Sequence, residues 1–523
     1  MSRTPTSNSA WRSFMDLAED PKVEATSVGG HNALSPTDPD NPQNWPLHRK
    51  LYASSVSFAF VFAMTFGLTS YTAGVTGVMK EFGTSQQVAV LGFSLPIFGI
   101  FFAPIYTPHL SERFGRNPVY LTALPLFTLF TLGTGLAQNF ATIAICRFLA
   151  GFFGGPIIVL IEGTFADIWE GKGRTVTYYS LLTLASFWGT GVGPLVGGFV
   201  FASKGWRWLQ WVTIFICVAA YLLGIGIPET YGREILRQRA RNLGMPPPKL
   251  APAESGVTIG GMARVTLVNP IKMLVTDPIT IGISLYLGFN FAVLFSFFIS
   301  IPVVLELTFA FTVQQVGIAF NAALAGALLA AITSIILDVI SFRFFASRST
   351  NGIPALEYRL LPAMIGGFGV LASLFWIAWT ASPKYHFLSP IFGTLLYVWG
   401  NMSVLISAIS YLFDAYPPRG TLAGLTTAAC FRLALAGVMP LVIIQMILGL
   451  TGSWAYSLFG FIAAAMLPLP WLLFKFGPTL RAHSKYGPGA MAMESKMMGH
   501  EMMSQGVKDD MRMSGMSSGH SNV

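Results

Sequence analysis

Charge is scarce in this chain. Only 11% of its 523 residues are Asp, Glu, Lys or Arg, 53% are hydrophobic, and the mean hydropathy is +0.59. Such a balance excludes an ordinary soluble domain and points to a protein that crosses a membrane many times. Cysteine is nearly missing as well. Cys146, Cys217 and Cys430 all fall in apolar runs with no evident pairing, which excludes a disulfide scaffold and leaves them as small packing residues. No P-loop with its lysine, no His-Glu-x-x-His and no nucleophile elbow is found, so an enzyme is not expected, nor a cofactor or a metal site. Residues 1–46 are polar and contain no apolar core of the kind a signal peptide needs.

What the chain has in abundance is bilayer-length apolar sequence. Runs near 51–75, 86–107, 118–138, 141–165, 175–200 and 206–228 precede a polar interval. Six more follow near 278–305, 313–340, 360–382, 388–413, 419–447 and 453–477. The organisation expected is an N-terminal tail (1–46), a six-helix bundle (47–228), a basic linker (229–272), a second six-helix bundle (273–477) and a Met-rich tail (478–523). The fold class is therefore an all-α membrane protein of twelve transmembrane helices in two six-helix bundles. Lys and Arg crowd one side of that topology, including the cluster Arg233, Arg237, Arg239 and Arg241, and only Lys80, Lys204, Arg207 and Lys384 fall on the other. That asymmetry predicts both termini in the cytoplasm. The net charge of +9 reports orientation and contact with anionic lipid heads, not nucleic acid. The nine methionines from Met491 to Met516, with His500 and His520, form a low-complexity stretch to which no metal role is given.

Three stretches carry the mechanism. Gly189, Gly193 and Gly197 stand at i, i+4 and i+8, one face of a helix that Pro194 bends and beside which Gly198 adds another small position. A bare face of this kind lets a neighbouring helix backbone approach closely, as two bundles that seal and rock require. The loop after the second run, Leu110 to Pro118, places Glu112, Arg113 and Arg116 around a turn at Gly115. It suits a conformational latch, with Asp167 the natural partner. Arg147 lies inside the fourth run, where an arginine costs about 2.5–3.5 kcal/mol on insertion scales, so a cavity or a carboxylate is expected to receive it.

Together these stretches resemble the major facilitator superfamily. The Leu110–Pro118 loop looks like its signature between spans two and three, Arg147 like its buried span-four arginine, and 189–198 like the antiporter signature of span five. Asn41-Pro-Gln-Asn-Trp45, Ala166-Asp-Ile-Trp169, Gly205-Trp-Arg-Trp208, Pro228-Glu-Thr230, Glu357-Tyr-Arg-Leu360 and Phe431-Arg432 are similar to the fungal twelve-span drug:proton antiporter branch. The resemblance covers about 41–477. Pro108 and Asn117 depart from the loop signature, which predicts a weaker latch, and Glu162 replaces a glycine of many relatives.

Arg147, Glu162 and Arg432 are accordingly the proton-coupling or cavity candidates, with Glu162 the candidate proton carrier and Arg432 able to hold an acidic substrate or neutralise a carboxylate. Tyr71, Asn290, Asn321, Tyr397 and Asn401 are expected on the substrate cavity, and Asp338 and Asp414 at the interface. Phe289, Phe295 and Trp399 read as packing or lipid-facing aromatics. The resemblance implies a monomeric, proton-coupled exporter of drugs, fungicides or fungal secondary metabolites in the plasma membrane, with the vacuolar membrane as the alternative site. An uptake symporter or facilitator for a nutrient or organic acid is the alternative function.

Overall fold

Lipid supplies no hydrogen-bond partners, so a spanning backbone must satisfy itself, and the described residues accordingly form helices with no strand among them. The computed structural model describes residues 34, 37–169, 175–244, 268–345, 355–416, 418–484 and 486. Most of both tails with the Met-rich stretch, the linker from 245 to 267, and Lys172 and Arg174 lie outside them.

The first six spans are Leu47–Phe82, Gln86–Phe101 with Ala103–Phe114, Arg116–Gly135, Phe140–Trp169, Thr175–Lys204 and Arg207–Gly224. After short helices at Gly232–Asn242 and Asn269–Thr276 come spans 7 to 12: Pro278–Phe309, Val313–Ala319 with Asn321–Phe345, Leu361–Thr380, Leu388–Ala415, Pro418–Leu450 and Gly452–His483. Among the described residues eleven helices are long and apolar enough to cross a membrane, and the bent span 2 makes twelve. Its two halves meet at 46°. Pro104, at the start of the second half, has no N–H to return to the preceding turn, which accounts for the break.

Within the first bundle span 1 packs on span 5, and span 4 on spans 2 and 3. Within the second, span 7 packs on span 11, and span 10 on spans 8 and 9. The bundles meet along two seams, span 2 with span 11 and span 5 with spans 8 and 10. The membrane face that carries Gly115, the helix Gly232–Asn242 and the ends of spans 4 and 10 is called here the latch face, and the opposite one the distal face. On the distal face Arg207 donates to the carbonyls of Gly135 and Ala137, both at 2.8 Å, and pairs with Glu81 at 2.6 Å. This one side chain ties the ends of spans 1, 3 and 6 together.

Candidate functional site

The glycine face of span 5 serves packing inside its own bundle. A Cβ on Gly193 would stand 2.9 Å from the Ser70 nitrogen and 3.0 Å from the Phe66 oxygen, and one on Gly197 3.0 Å from the Ser70 oxygen, all on span 1. Gly189 meets Phe62 of span 1 in the same way. The seal between bundles uses a different face of the same helix. A Cβ on Gly198 would come within 2.6 Å of the Val313 carbonyl, one on Gly191 within 2.5 Å of Leu324, and one on Gly317 within 2.9 Å of the Pro194 carbonyl. The i, i+4, i+8 glycines are thus corrected to an intrabundle role, and Gly191, Gly198 and the carbonyls of Pro194 and Leu195 make the contact with span 8.

At the latch face Gly115 turns the chain with φ +89°, a conformation that disfavours any Cβ. Arg116 then grips Asp167 with Nε to Oδ2 at 2.6 Å and Nη2 to Oδ1 at 3.0 Å. Glu112 and Arg113 stay exposed, and what they offer is backbone: both carbonyls accept from Arg237, at 3.3 and 3.2 Å. A residue outside the sequence-derived site completes the turn. Glu229 accepts from the backbone N–H groups of Arg116 (2.9 Å) and Asn117 (3.1 Å), which caps the start of span 3 with negative charge. Its signal was the Pro228-Glu-Thr230 run. Asn117, a departure from the loop signature, donates to the Ile227 carbonyl at 2.7 Å and ties the same turn to the end of span 6. The second bundle repeats the device: Arg359, before span 9, meets Asp414 at the end of span 10 at 2.5 Å. Asp338 accepts from Thr177 of span 5 at 2.9 Å, across the seam between bundles.

Arg147 faces neither cavity nor carboxylate. It is 2% exposed, and its guanidinium donates to the carbonyls of Gly92, Gly67 and Leu68 at 2.8, 2.8 and 2.9 Å. It lies over the Tyr71 ring at 4.6 Å. Spans 1, 2 and 4 are stapled through one side chain, because a guanidinium has enough donors to satisfy three carbonyls at once.

Between the bundles lies a cavity of about 370 Å³. Its walls come from spans 1, 2, 4 and 5 and the start of span 3 on one side and spans 7, 10 and 11 on the other, and they reach the exposed Glu112 and the half-buried Tyr231 at the latch face. Towards the distal face an aromatic group closes it. Phe93 of span 2 stacks on Phe295 (6.1 Å) and touches Phe298 (5.9 Å), and Phe298 stacks on Phe320 (5.4 Å, 14°). Glu162 and Arg432 both line this cavity, from opposite bundles.

The polar residues expected on its wall are elsewhere. Tyr71 donates to the Ala89 carbonyl at 2.9 Å. Tyr397 and Asn401 both donate to the Asn290 carbonyl at 2.8 Å, a knot between spans 7 and 10 inside the second bundle. Asn321 is exposed and donates to the Ile318 carbonyl at 3.0 Å. None of these five lines the cavity. In a membrane interior polar side chains seek one another or the backbone, and that preference wins here over exposure to the cavity. Phe295, read as packing, lines it together with Phe291 and Phe187.

This architecture and the motifs agree with a family match: a model described as Major Facilitator Superfamily covers residues 56–437. The chain belongs to the major facilitator superfamily. Among curated relatives of this facilitator, the ascochitine biosynthesis cluster MFS transporter of Didymella fabae is 32% identical over 485 residues, 91% of this chain and 92% of that protein. Polyamine transporter 4 of Saccharomyces cerevisiae is 30% identical over 494 residues, 89% of this chain and 74% of that one. Other fungal relatives at 30% identity are named efflux pumps. The human organic anion transporter MFSD10 (TETRAN) shares the fold, with a TM-score of 0.55 at 17% identity over 82% of this chain and 100% of that one. This facilitator is a multi-pass membrane transporter of small molecules, and not an enzyme.

Proposed function

We propose that this facilitator exports small organic molecules in exchange for protons, its central cavity opening in turn to the two membrane faces. The observation that carries the reading is Glu162, a carboxyl in the wall of a cavity that lies between the two bundles. A group so placed meets whichever side the cavity opens to, which is the geometry a proton carrier needs. Asp167 is less suited to that task, since Arg116 holds both of its oxygens. The close seam between spans 5 and 8 suits a joint that rocks, and the largely apolar wall with a few polar groups suits amphipathic substrates. Export is supported by the span-five run and by relatives that belong to biosynthesis clusters or are named efflux pumps. The same reading places the chain as a monomer in the plasma membrane with both termini in the cytoplasm.

The test is transport in proteoliposomes against a panel of amphipathic compounds with an imposed proton gradient. Glu162→Gln should abolish gradient-driven flux while leaving counterflow of labelled substrate. Wild-type flux that persists after the gradient is collapsed contradicts proton coupling, and full gradient dependence in Glu162→Gln removes the assignment.

A further inference from the structure

The charged residues among those described as lining the cavity are Glu112 and Arg116, at the latch face, and Glu162 and Arg432, deeper in. Arg116 is committed to Asp167. Arg432 is not so committed: its Nε is buried without a hydrogen-bond partner, and its guanidinium lies 5.0 Å from the centre of the Phe291 ring. This contact with the Phe291 ring engages the charge and leaves the N–H donors available to an incoming acceptor. A buried donor left unsatisfied costs free energy that an incoming acceptor recovers. The cavity wall that Arg432 belongs to is largely apolar, with Phe291, Leu294, Phe295, Leu433 and Ile97 among its lining residues.

We propose that Arg432 is the anchor for an amphipathic organic acid, its planar carboxylate paired edge-on with the guanidinium and its apolar body laid against Phe291 and Phe295. A planar fork of donors matches a planar pair of oxygens, which makes a carboxylate the fitting head group. Glu162 lines the same cavity from the opposite bundle, so an ionised Glu162 and a bound carboxylate repel one another and draw on the same cation. An acid therefore binds better when Glu162 carries no charge. The proposal specifies the substrate class of the export reading above. It stands or falls on binding without a gradient, so failure of proton coupling leaves it intact.

The experiment measures equilibrium binding to the full chain in nanodiscs of zwitterionic lipid, with matched pairs of bicyclic acids and their primary amides, 1-naphthoate and 1-naphthamide first, and spermidine as a cationic contrast. The acid should bind at least tenfold more tightly than its amide. Arg432→Gln should erase that preference, Arg432→Lys should keep part of it, and Glu162→Gln should tighten acid binding several-fold. Repeating the titration in discs with anionic lipid tests whether a lipid head occupies the site, and weaker acid binding there identifies the lipid as a competitor for the same anchor. Equal affinity for acid and amide across the pairs overturns the proposal, as does undiminished acid preference in Arg432→Gln. Preferential spermidine binding that Glu162→Gln abolishes overturns it also, and assigns the cavity to cations. The acid–amide comparison on the native chain decides even if the variants fail to fold.

Discussion

Two arginines lie deep in the membrane, one in each bundle, and they have opposite surroundings. Arg147 of span 4 donates to three backbone carbonyls and is shut away from the cavity, whereas Arg432 of span 11 lines the cavity with Nε unpartnered. Insertion of either charge is costly. The first bundle recovers the cost internally and gains a three-span staple, while the second leaves it to be recovered by something that enters. Elsewhere at the latch face the two halves agree, since Arg116–Asp167 and Arg359–Asp414 do the same work in each. The halves therefore share their conformational hardware and differ where a ligand would sit.

The comparison can be broken most severely at Arg147. Replacing it with alanine abandons three buried carbonyls, each worth about 1–3 kcal/mol when left unsatisfied, so Arg147→Ala should lose at least about 3 kcal/mol. Fluorescence-detected size exclusion of the solubilised variant should show aggregated or missing protein. A monodisperse Arg147→Ala at normal yield would mean that spans 1, 2 and 4 hold together without the staple. A smaller effect separates the two faces of span 5. Gly193→Leu overpacks the contact with span 1 and should lower stability by about 1–3 kcal/mol. Gly198→Leu wedges the seam with span 8, so it should arrest transport with a smaller loss of stability. Equal behaviour of the two variants in a thermal melt and a flux assay would erase the distinction between packing face and seam face.

The smallest effect expected lies outside the membrane. Burial of Asp38 pushes its carboxyl up, but hydrogen bonds from Arg239 and from the Asp40 N–H, with the Arg239 charge, outweigh it and hold the group below the usual aspartate range. A carboxyl lowered in the folded state contributes stability at pH values above its unfolded value near 3.9, and that contribution fades as pH falls through the lowered folded value. Hydrogen exchange around 38–45 should therefore be slow and flat from pH 7 to 5, after correction for intrinsic rates, and Asp38→Asn should speed it. No difference between Asp38→Asn and the native chain would show that the contact with Gly232–Asn242 does not hold this segment.

How far the sequence discloses all this differs by level. The spans are legible because each needs a bilayer length of apolar residues, and nothing in the protein can shorten that requirement. Span 2 is the partial exception, since Pro104 divides it. The Arg116–Asp167 pair is accessible from sequence because both residues sit at span ends, where few partners are available. Side chains deep inside the bundles are different. Spans such as 4, 7 and 11 are apolar on every side, so no stripe marks which face turns to the cavity. Tyr397 and Asn401 donate to the Asn290 carbonyl within their bundle, and Arg147 finds carbonyls, because helix rotation and close approach decide these matters in three dimensions. The three carbonyls that receive Arg147 are invisible in any reading of side chains, since every residue carries one. Glu229 is hidden for a related reason: besides its own neighbours Thr230 and Tyr231, its partners are backbone N–H groups at a helix start more than a hundred residues away.

The most direct test of the division between the two arginines is a single thermal-unfolding measurement on native chain, Arg147→Gln and Arg432→Gln in the same nanodiscs, with and without 1-naphthoate. Arg432→Gln should melt close to the native chain and lose the ligand-induced rise in midpoint. Arg147→Gln should melt well below both, and whatever folded protein remains should keep that rise. A native midpoint for Arg147→Gln together with loss of its ligand response, and an unchanged ligand response in Arg432→Gln, would contradict the account.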